Sequence, residues 1–379
     1  MMKITMLSGA YKNAGDFLIV DRSKKLIEKQ FPNSQINVIL RDKDLTEKLP
    51  ELNESDALIL AGGPVYMTNI YPDYIPLVKE LSLINSKIFT LGCGWYASTD
   101  SIEYMYNKYI FSETTQRLLK RIEEDSHCLS CRDWFSVWAL KNAGIQNVQM
   151  TGCPAWYDIE YLGKESISEN LCIPFRKICI SDPANLKNVD QVEHVVKYIR
   201  ERYKDAEIYY VFHRGEQSNE IIERLKSILY EMGVSICNIE GSKEGFAIYN
   251  DCDLHIGYRV HAHIYNLSRR NISILIEEDG RGAGVNHALG LERIKAYKDN
   301  YSEIWGNTYL CKVERKIQNK VLGIGNYKNN DYVIQEIENY LNRLETTDFK
   351  VLEVAYKNMN ESYLQMEKYL QHIERCVTE

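Results

Sequence analysis

The chain has 379 residues, a hydrophobic fraction of 45%, a charged fraction of 26% and a net charge of −7. This composition is typical of a globular protein, and the length predicts two domains. The negative charge and the lack of a basic tail argue against nucleic acid as the main partner. No apolar run is long enough to span a membrane.

Cysteine usage and the start of the chain bear on location. The ten cysteines are scattered, mostly inside apolar runs, a pattern typical of reduced, buried thiols. The first residues turn polar too soon for a signal peptide, so we predict a cytoplasmic protein. Cys128 and Cys131 have the spacing of half a zinc or redox site, but no second pair completes it, and structural thiols are favoured. We predict no metal.

The first half of the chain alternates short apolar runs with amphipathic segments. The amphipathic segments Phe17–Gln30 and Trp134–Ala143 resemble helices. Apolar runs bounded by glycine and alternating with helices favour a parallel sheet covered on both faces. The predicted strands of this half are residues 3–7, 36–40, 56–62, 87–92 and 127–131.

The alternation pauses near residues 160–175 and then resumes. Residues 331–379 have a helical pattern without a strand signal. We therefore predict an α/β protein with two Rossmann-like doubly wound domains facing a cleft, residues 1–165 and 172–330, and a C-terminal helical extension. The predicted strands of the second half are residues 177–182, 207–213, 234–240, 252–258 and 272–278.

Ligands of open α/β sheets bind at the carboxyl ends of the strands, so the loops there are site candidates. The loop Ser8–Asp16 contains Gly9 and Gly15, which permit a close backbone approach, and Asp16 can cap the next helix. A plain connecting loop explains it about as well, and the dinucleotide-binding glycine spacing is absent. Two further strands end in glycine loops, residues 61–66 and 91–96. These loops predict either a backbone-lined floor of a binding site for a polar ligand or simply tight turns.

Charged and aromatic residues follow other strands. Arg132 precedes a helix start and either enters the cleft or forms a surface ion pair. Trp156, near the domain junction, either stacks on a sugar ring or packs in the hinge. His213 and Arg214 either face the cleft or lie in a solvated loop.

The pattern with the strongest chemistry is Arg259–Val260–His261, between a predicted strand and a predicted helix. A helix N-terminus favours an anion, the arginine fork suits phosphate or carboxylate, and a histidine can donate a proton near neutral pH. His263 lies on another face of that helix and is a candidate for the core or for support of His261.

Together these motifs resemble the polysaccharide pyruvyl transferase family. The resemblance rests on the loop with Asn13, Gly15 and Asp16, on the segment around Arg132, and on residues 252–276, in matching order. It implies a two-domain glycosyltransferase-B-like enzyme that moves pyruvate from phosphoenolpyruvate onto two hydroxyls of a sugar, forming a ketal, in exopolysaccharide or glycan-precursor biosynthesis. The sugar acceptor would be lipid-linked or nucleotide-linked, and a lipid-linked one would bring the protein to the membrane surface.

The resemblance also implies roles for single residues. Arg259 and His261 would form the donor-binding and catalytic element, with His261 as general acid. We add Asp16 as base and Asn13, Gly15, Arg132, Trp156, His213, Arg214 and His263 as substrate-binding candidates. The scheme needs no cofactor besides the donor substrate.

One segment departs from the family pattern. Residues 277–284, "EEDGRGAG", replace a shorter turn that more often carries a lysine. Two alternatives therefore stay open: a glycosyltransferase that uses this segment to hold a nucleotide sugar, and a binding protein without catalysis.

Overall fold

The protein folds around two parallel sheets. The structure, a computed structural model, describes residues 2–97, 100–169, 171–215, 219–297 and 330–378, apart from the side chain of Glu103. The end of the predicted second domain, residues 298–329, lies outside these residues.

The N-terminal sheet has four strands in the order β2-β1-β3-β5, all parallel. Two short parallel pairs, β4 with β6 and β7 with β8, extend this half. Its strands are β1 Lys3–Ser8, β2 Gln35–Leu40, β3 Ala57–Ala61, β4 Pro64–Tyr66, β5 Lys87–Leu91, β6 Gly94–Trp95, β7 Leu129–Cys131 and β8 Val148–Met150. Its α-helices are α1 Ala14–Gln30, α2 Leu49–Asn53, α3 Ile102–Asn107, α4 Glu113–Ser126 and α5 Trp134–Asn142.

The C-terminal sheet has six parallel strands in the order β11-β10-β9-β12-β13-β14. Its central strands are buried along most of their length because helices cover both faces. The strands are β9 Lys177–Ser181, β10 Glu207–Phe212, β11 Ser235–Asn238, β12 Leu254–Gly257, β13 Ile272–Glu277 and β14 Ile294–Lys295. The helices are α6 Val189–Arg202, α7 Glu220–Glu231, α8 Val260–Ser268 and α9 Gly280–Leu289.

Two helices end the chain, α10 Asn330–Thr346 and α11 Glu353–Thr378. The long helix α11 joins the two halves. Its Tyr356 hydroxyl donates to the Asn271 carbonyl of the C-terminal half. Further along, the Tyr369 hydroxyl donates to the Cys128 carbonyl of the N-terminal half at 3.2 Å. The helical extension is therefore a brace between the two sheets.

The two halves face each other across a closed cleft. The backbone N–H of Ala14 donates to the His213 carbonyl at 3.0 Å, and that of Gly241 donates to the Lys12 carbonyl at 2.9 Å. The fully buried Arg22 on α1 donates to Ser268 on α8 at 2.8 Å. These contacts join the first loop and helix of the chain directly to the C-terminal half.

The doubly wound fold with its helical extension is as predicted, since every predicted strand is present within two residues. The first helix differs, because it begins at Ala14, whose N–H is satisfied across the cleft. Asp16 therefore lies in the first turn and does not cap the helix as predicted; Asn13 occupies the N-cap position. The pattern missed β4, β6, β8 and β14, because strands of two or three residues have too few positions to show a period.

Three findings concern the wider predictions. In the part of the chain that the structure describes, no helix has the length and apolar character needed to cross a bilayer. Within that part, Cys128 carries a free thiol, and burial raises its pKa to about 11. Nor do the described residues include a group of three or more His, Cys, Asp or Glu side chains placed to hold a metal ion.

Candidate active site

The site forms where the loop before α1 meets the N-terminus of α8. A Cβ atom on Gly15 would lie only 2.1 Å from the His261 Nδ1 atom. No side chain fits there, so glycine permits this contact between the halves. The structure thus brings together Asn13, Gly15 and Asp16 of the first loop with His261, as a shared cleft requires.

Arg259 is held rigidly at the N-cap of α8. Its Nε donates to an Asp182 carboxylate oxygen at 2.7 Å, and its Nη2 donates to the other oxygen. Its backbone N–H donates to the Ser181 hydroxyl at 3.1 Å. This bidentate pair fixes the guanidinium plane. It also uses the Nε and Nη2 edge of the guanidinium, which we expected to bind an anion. Nη1 has no partner among the described residues.

Two more arginines repeat this arrangement. The Arg132 Nε donates to Asp133 at 2.9 Å, and Arg132 covers Gly94, where a Cβ would lie 2.4 Å from its Cζ. The Arg281 Nη2 donates to Asp279 at 2.6 Å. In both, as in Arg259, no described residue accepts a hydrogen bond from Nη1. Three arginines are therefore oriented by their own carboxylates while each keeps one nitrogen available.

The three arginines surround His261. Burial, followed by the positive charges of Arg132, Arg281 and Arg259 in that order, lowers the pKa of His261 to about 3. No described residue makes a hydrogen bond to its ring nitrogens. Without a ligand, His261 is therefore a neutral imidazole in a strongly positive pocket. An anion bound there would oppose the arginine charges and raise this pKa.

Asp16 lies beside this group, next to Gly15. Burial raises the pKa of the Asp16 carboxyl, while Arg41, a hydrogen bond from Asn13, Arg214 and Arg281 oppose the rise. The Asn13 Nδ2 donates to Asp16 at 3.1 Å. A carboxylate with a raised pKa is better suited to accept a proton than an ordinary aspartate.

His263 belongs to a buried chain of hydrogen bonds behind the site. Its Nε2 lies 3.1 Å from Asn286 Oδ1, and its Nδ1 lies 2.8 Å from the Ser273 hydroxyl. The same hydroxyl lies 2.7 Å from His255 Nδ1, and His255 Nε2 lies 3.0 Å from the Ser181 hydroxyl that receives the Arg259 N–H.

The direction of this chain is fixed from its far end. Glu277 is ion-paired with Arg293, and it accepts the Asn286 Nδ2–H at 2.8 Å. Asn286 therefore presents its carbonyl oxygen to His263, which must donate from Nε2 and accept at Nδ1 from Ser273. Both ring nitrogens of His263 are used, so it supports the α8 N-terminus and does not face a ligand.

Other predicted contacts lie elsewhere. Trp156 is 1% exposed and packs in the core near the hinge, so the hinge interpretation applies and no face is open to a sugar. His213 is fully buried below the first loop, with Nε2 2.8 Å from the Tyr249 hydroxyl. Arg214 is exposed and affects Asp16 through its charge.

The site also contains residues that the sequence did not single out. Arg281 comes from residues 277–284, which had been noted only as a departure from the family pattern. Arg41, directly after β2, lies near Asp16. A signal for both existed, since each follows the carboxyl end of a strand within a few residues.

The two glutamates that open this segment are already engaged. Glu277 ends the buried chain. Glu278 accepts from the backbone N–H groups of Ala184 at 2.7 Å and Asn185 at 3.1 Å, and from Asn188 Nδ2 at 2.7 Å. The glutamates of this segment thus stabilise the fold through hydrogen bonds, and its Arg281 contributes a positive charge to the cleft.

Comparison with solved structures shows the fold. S. aureus MnaA with UDP superposes with a TM-score of 0.56 at 11% identity, covering 100% of this chain and 98% of that one. A putative UDP-N-acetylglucosamine 2-epimerase from Listeria monocytogenes gives 0.48 at 11% identity, covering 89% and 94%. Anabaena Alr3699/HepE with UDP and glucose gives 0.47 at 11% identity, covering 99% and 98%. The superposition on MnaA, which spans almost all of both chains, shows the two-domain GT-B-like fold.

Comparison of the sequence adds the family. No curated protein matches the chain. The family model for polysaccharide pyruvyl transferase, in contrast, matches residues 13–265, which include Asn13–Asp16 of the first loop, Arg132 and the Arg259–His261 element. The match covers about two thirds of the chain, and the protein belongs to this family of transferases.

Proposed function

We propose that the protein transfers pyruvate from phosphoenolpyruvate onto two hydroxyls of a sugar in a glycan precursor, with a ketal as product. The observation that carries this proposal is the group of three arginines around His261, each fixed by a carboxylate and each with Nη1 unpartnered among the described residues. Family membership supports the same reaction class.

The donor fits the charge of this pocket. Phosphoenolpyruvate carries a phosphate and a carboxylate on the same carbon, C2, so it offers several oxygens to several arginine nitrogens. The three arginines need no reorganisation to present their free nitrogens to the donor. Asp182, Asp279 and Asp133 already orient Arg259, Arg281 and Arg132, respectively. Such preorganised donors are most effective in a site that excludes water.

The ligand itself would make His261 an acid. Donor binding places negative charge among the three arginines and so raises the low pKa of His261. The imidazolium then protonates the methylene carbon of the donor, and C2 becomes oxocarbenium-like. A first sugar hydroxyl attacks C2, phosphate leaves, and the second hydroxyl closes the ketal. Asp16 takes a hydroxyl proton, and the departing phosphate can take the other.

The acceptor binds on the N-terminal half in this scheme. The loop after β1 carries Asp16, the proposed base, directly after Gly15 at the contact with His261. Whether the sugar is linked to a lipid or to a nucleotide depends on features beyond this loop.

The decisive experiment supplies phosphoenolpyruvate with a panel of lipid-linked and nucleotide-linked sugars. We expect release of inorganic phosphate and a pyruvyl adduct on one acceptor, detected by mass spectrometry, and loss of both in His261→Gln. His194→Gln, on the exposed face of α6, is the matched control. Absence of an adduct with every acceptor would contradict the proposal, and release of a nucleoside diphosphate would support the glycosyltransferase alternative.

A further inference from the structure

Arg41 differs from the other cleft arginines because it has no carboxylate partner. It directly follows β2 and is 7% exposed. Its Nη1 donates to the Gly62 carbonyl at 3.0 Å, and no described carboxylate lies within ion-pair distance. Its Nε and Nη2 have no acceptor among the described residues either. Two of the three guanidinium nitrogens, Nε and Nη2, are therefore available to a ligand.

A buried charge without a partner is costly. Burial lowers the pKa of the Arg41 guanidinium, and the negative charges of Asp16 and Asp42 only partly offset this. Proteins normally pair such a group. A ligand that brings a negative group would supply the missing partner.

Two glycines lie against the Arg41 fork and place no side chain on it. Gly9 and Gly63 line its fork: a Cβ on Gly9 would lie 3.2 Å from Nη2, and one on Gly63 would lie 2.9 Å from it. Gly63 also has a φ of +71°, a conformation that other residues rarely adopt. The two glycine loops therefore leave the fork uncovered by side chains at the carboxyl edge of the N-terminal sheet.

This position is separate from the donor pocket. Arg41 is not among the arginines that lower the pKa of His261, which are Arg132, Arg281 and Arg259. Its guanidinium lies against the N-terminal loops at Gly9, Gly62 and Gly63, and it acts on Asp16, as Arg281 also does. Asp16 is the proposed base for the acceptor hydroxyl. An anion on Arg41 would therefore belong to the acceptor and not to phosphoenolpyruvate.

We propose that Arg41 binds an oxyanion carried by the acceptor, a phosphate or a carboxylate, and so selects acidic or phosphate-linked sugars over neutral ones. The assignment of this ligand as the acceptor rests on the proposed function, but the existence of the anion site does not. The planar fork of Arg41 suits two oxygens of one such group.

Calorimetric titration with inorganic pyrophosphate, and separately with glucuronate, tests the site without donor or turnover. We expect the wild type to bind at least one of the two probes at the Arg41 site and Arg41→Met to bind that probe about tenfold or more weakly there. Arg41→Lys should be intermediate, and Arg117→Gln, exposed on α4, is the control. A stronger effect with pyrophosphate identifies a phosphate, and one with glucuronate identifies a carboxylate. No binding in the wild type, or equal binding in Arg41→Met, overturns the inference.

Thermal unfolding separates binding from a structural role. Without ligand, Arg41→Met should unfold at a temperature no lower than Arg132→Met, which leaves Asp133 buried and unpaired. The bound probe should raise Tm in the wild type but not in Arg41→Met. A steep fall in Tm for Arg41→Met alone, with the probe still bound, would show that Arg41 serves the fold.

Turnover then links the site to the acceptor. Arg41→Met should raise the acceptor KM and leave the donor KM unchanged. If the wild type forms no pyruvyl adduct at all, the proposed function fails while the titration still decides whether Arg41 holds an anion.

Discussion

The two sides of the cleft hold their arginines in different ways. On the C-terminal side, Arg259 and Arg281 are each fixed by a carboxylate, Asp182 and Asp279. On the N-terminal side, Arg41 has no carboxylate partner among the residues that the structure describes, and it lies among glycine loops. The difference suggests two tasks: a fixed pocket suits a donor that never changes, while an unpaired cation depends on the ligand to complete it.

Arg132 sharpens this comparison because it comes from the N-terminal half but follows the paired pattern, with Asp133. It also acts on His261. The pairing therefore follows the pocket that an arginine serves and not the domain that supplies it. The predictions below test the donor pocket, from the largest expected effect to the smallest.

His261→Gln should lower kcat by about 10²–10⁴-fold, which is the usual contribution of a general acid. Glutamine keeps a hydrogen-bond donor but cannot release a proton usefully, so donor affinity should change little. Phosphate release and donor titration measure the two effects. Near-normal turnover would mean that another group supplies the proton.

Gly15→Ala should lower kcat by roughly 10²-fold, because a misplaced catalytic group costs about that much. The new Cβ would lie 2.1 Å from His261 Nδ1, so the ring must move. Alanine favours a helix over glycine by up to about 1 kcal/mol, so the variant should stay folded. Glu28→Ala, exposed on the same helix, is the control, and normal kcat would show that the position of the ring is not critical.

The pH dependence of kcat/KM should reflect the low pKa of His261 in the free protein. The active form is protonated, and with a pKa of about 3 its population falls about tenfold for each pH unit above that value. We therefore expect kcat/KM to fall as pH rises above 6. The kcat profile, which reports the donor complex, should stay level to higher pH because the bound anion raises the pKa. A steady rise of kcat/KM with pH would exclude an acid of this kind.

Arg259→Lys should weaken donor binding by about tenfold. Lysine keeps a positive charge opposite Asp182 and so preserves the fold. It lacks the planar guanidinium, which can pair with Asp182 and bind the ligand at the same time. A charged hydrogen bond is worth about 1.5–3 kcal/mol. Calorimetric titration with phosphoenolpyruvate gives the affinity, and an unchanged value in the folded variant would remove Arg259 from the donor site.

His263→Gln should have the smallest effect on turnover, no more than a fewfold. The amide can still donate to Asn286 and accept from Ser273, although the fit is poorer. We expect a loss of about 1–3 kcal/mol in the free energy of unfolding, measured by denaturant titration. A loss of turnover as large as that of His261→Gln would give His263 a direct part in the chemistry.

The sequence predicted the strands well and the packing of side chains poorly. Apolar runs between glycines are local patterns, so all ten predicted strands could be found. Trp156 attracted attention as an aromatic near the domain junction, yet its burial depends on elements distant in the chain. His263 was left open between core and support for the same reason, since its partners Ser273 and Asn286 lie on other elements.

What the sequence determined by itself was the α/β architecture and the Arg259–His261 element, because strand periodicity and a strand-to-helix junction are written in neighbouring residues. Only the tertiary structure decided which charges meet. The pairing of Arg259 with Asp182, the contact of Gly15 with His261, and the lack of a carboxylate beside Arg41 each join positions far apart in the chain. Electrostatic interactions depend on distance in space and on burial, and neither follows from the order of the residues.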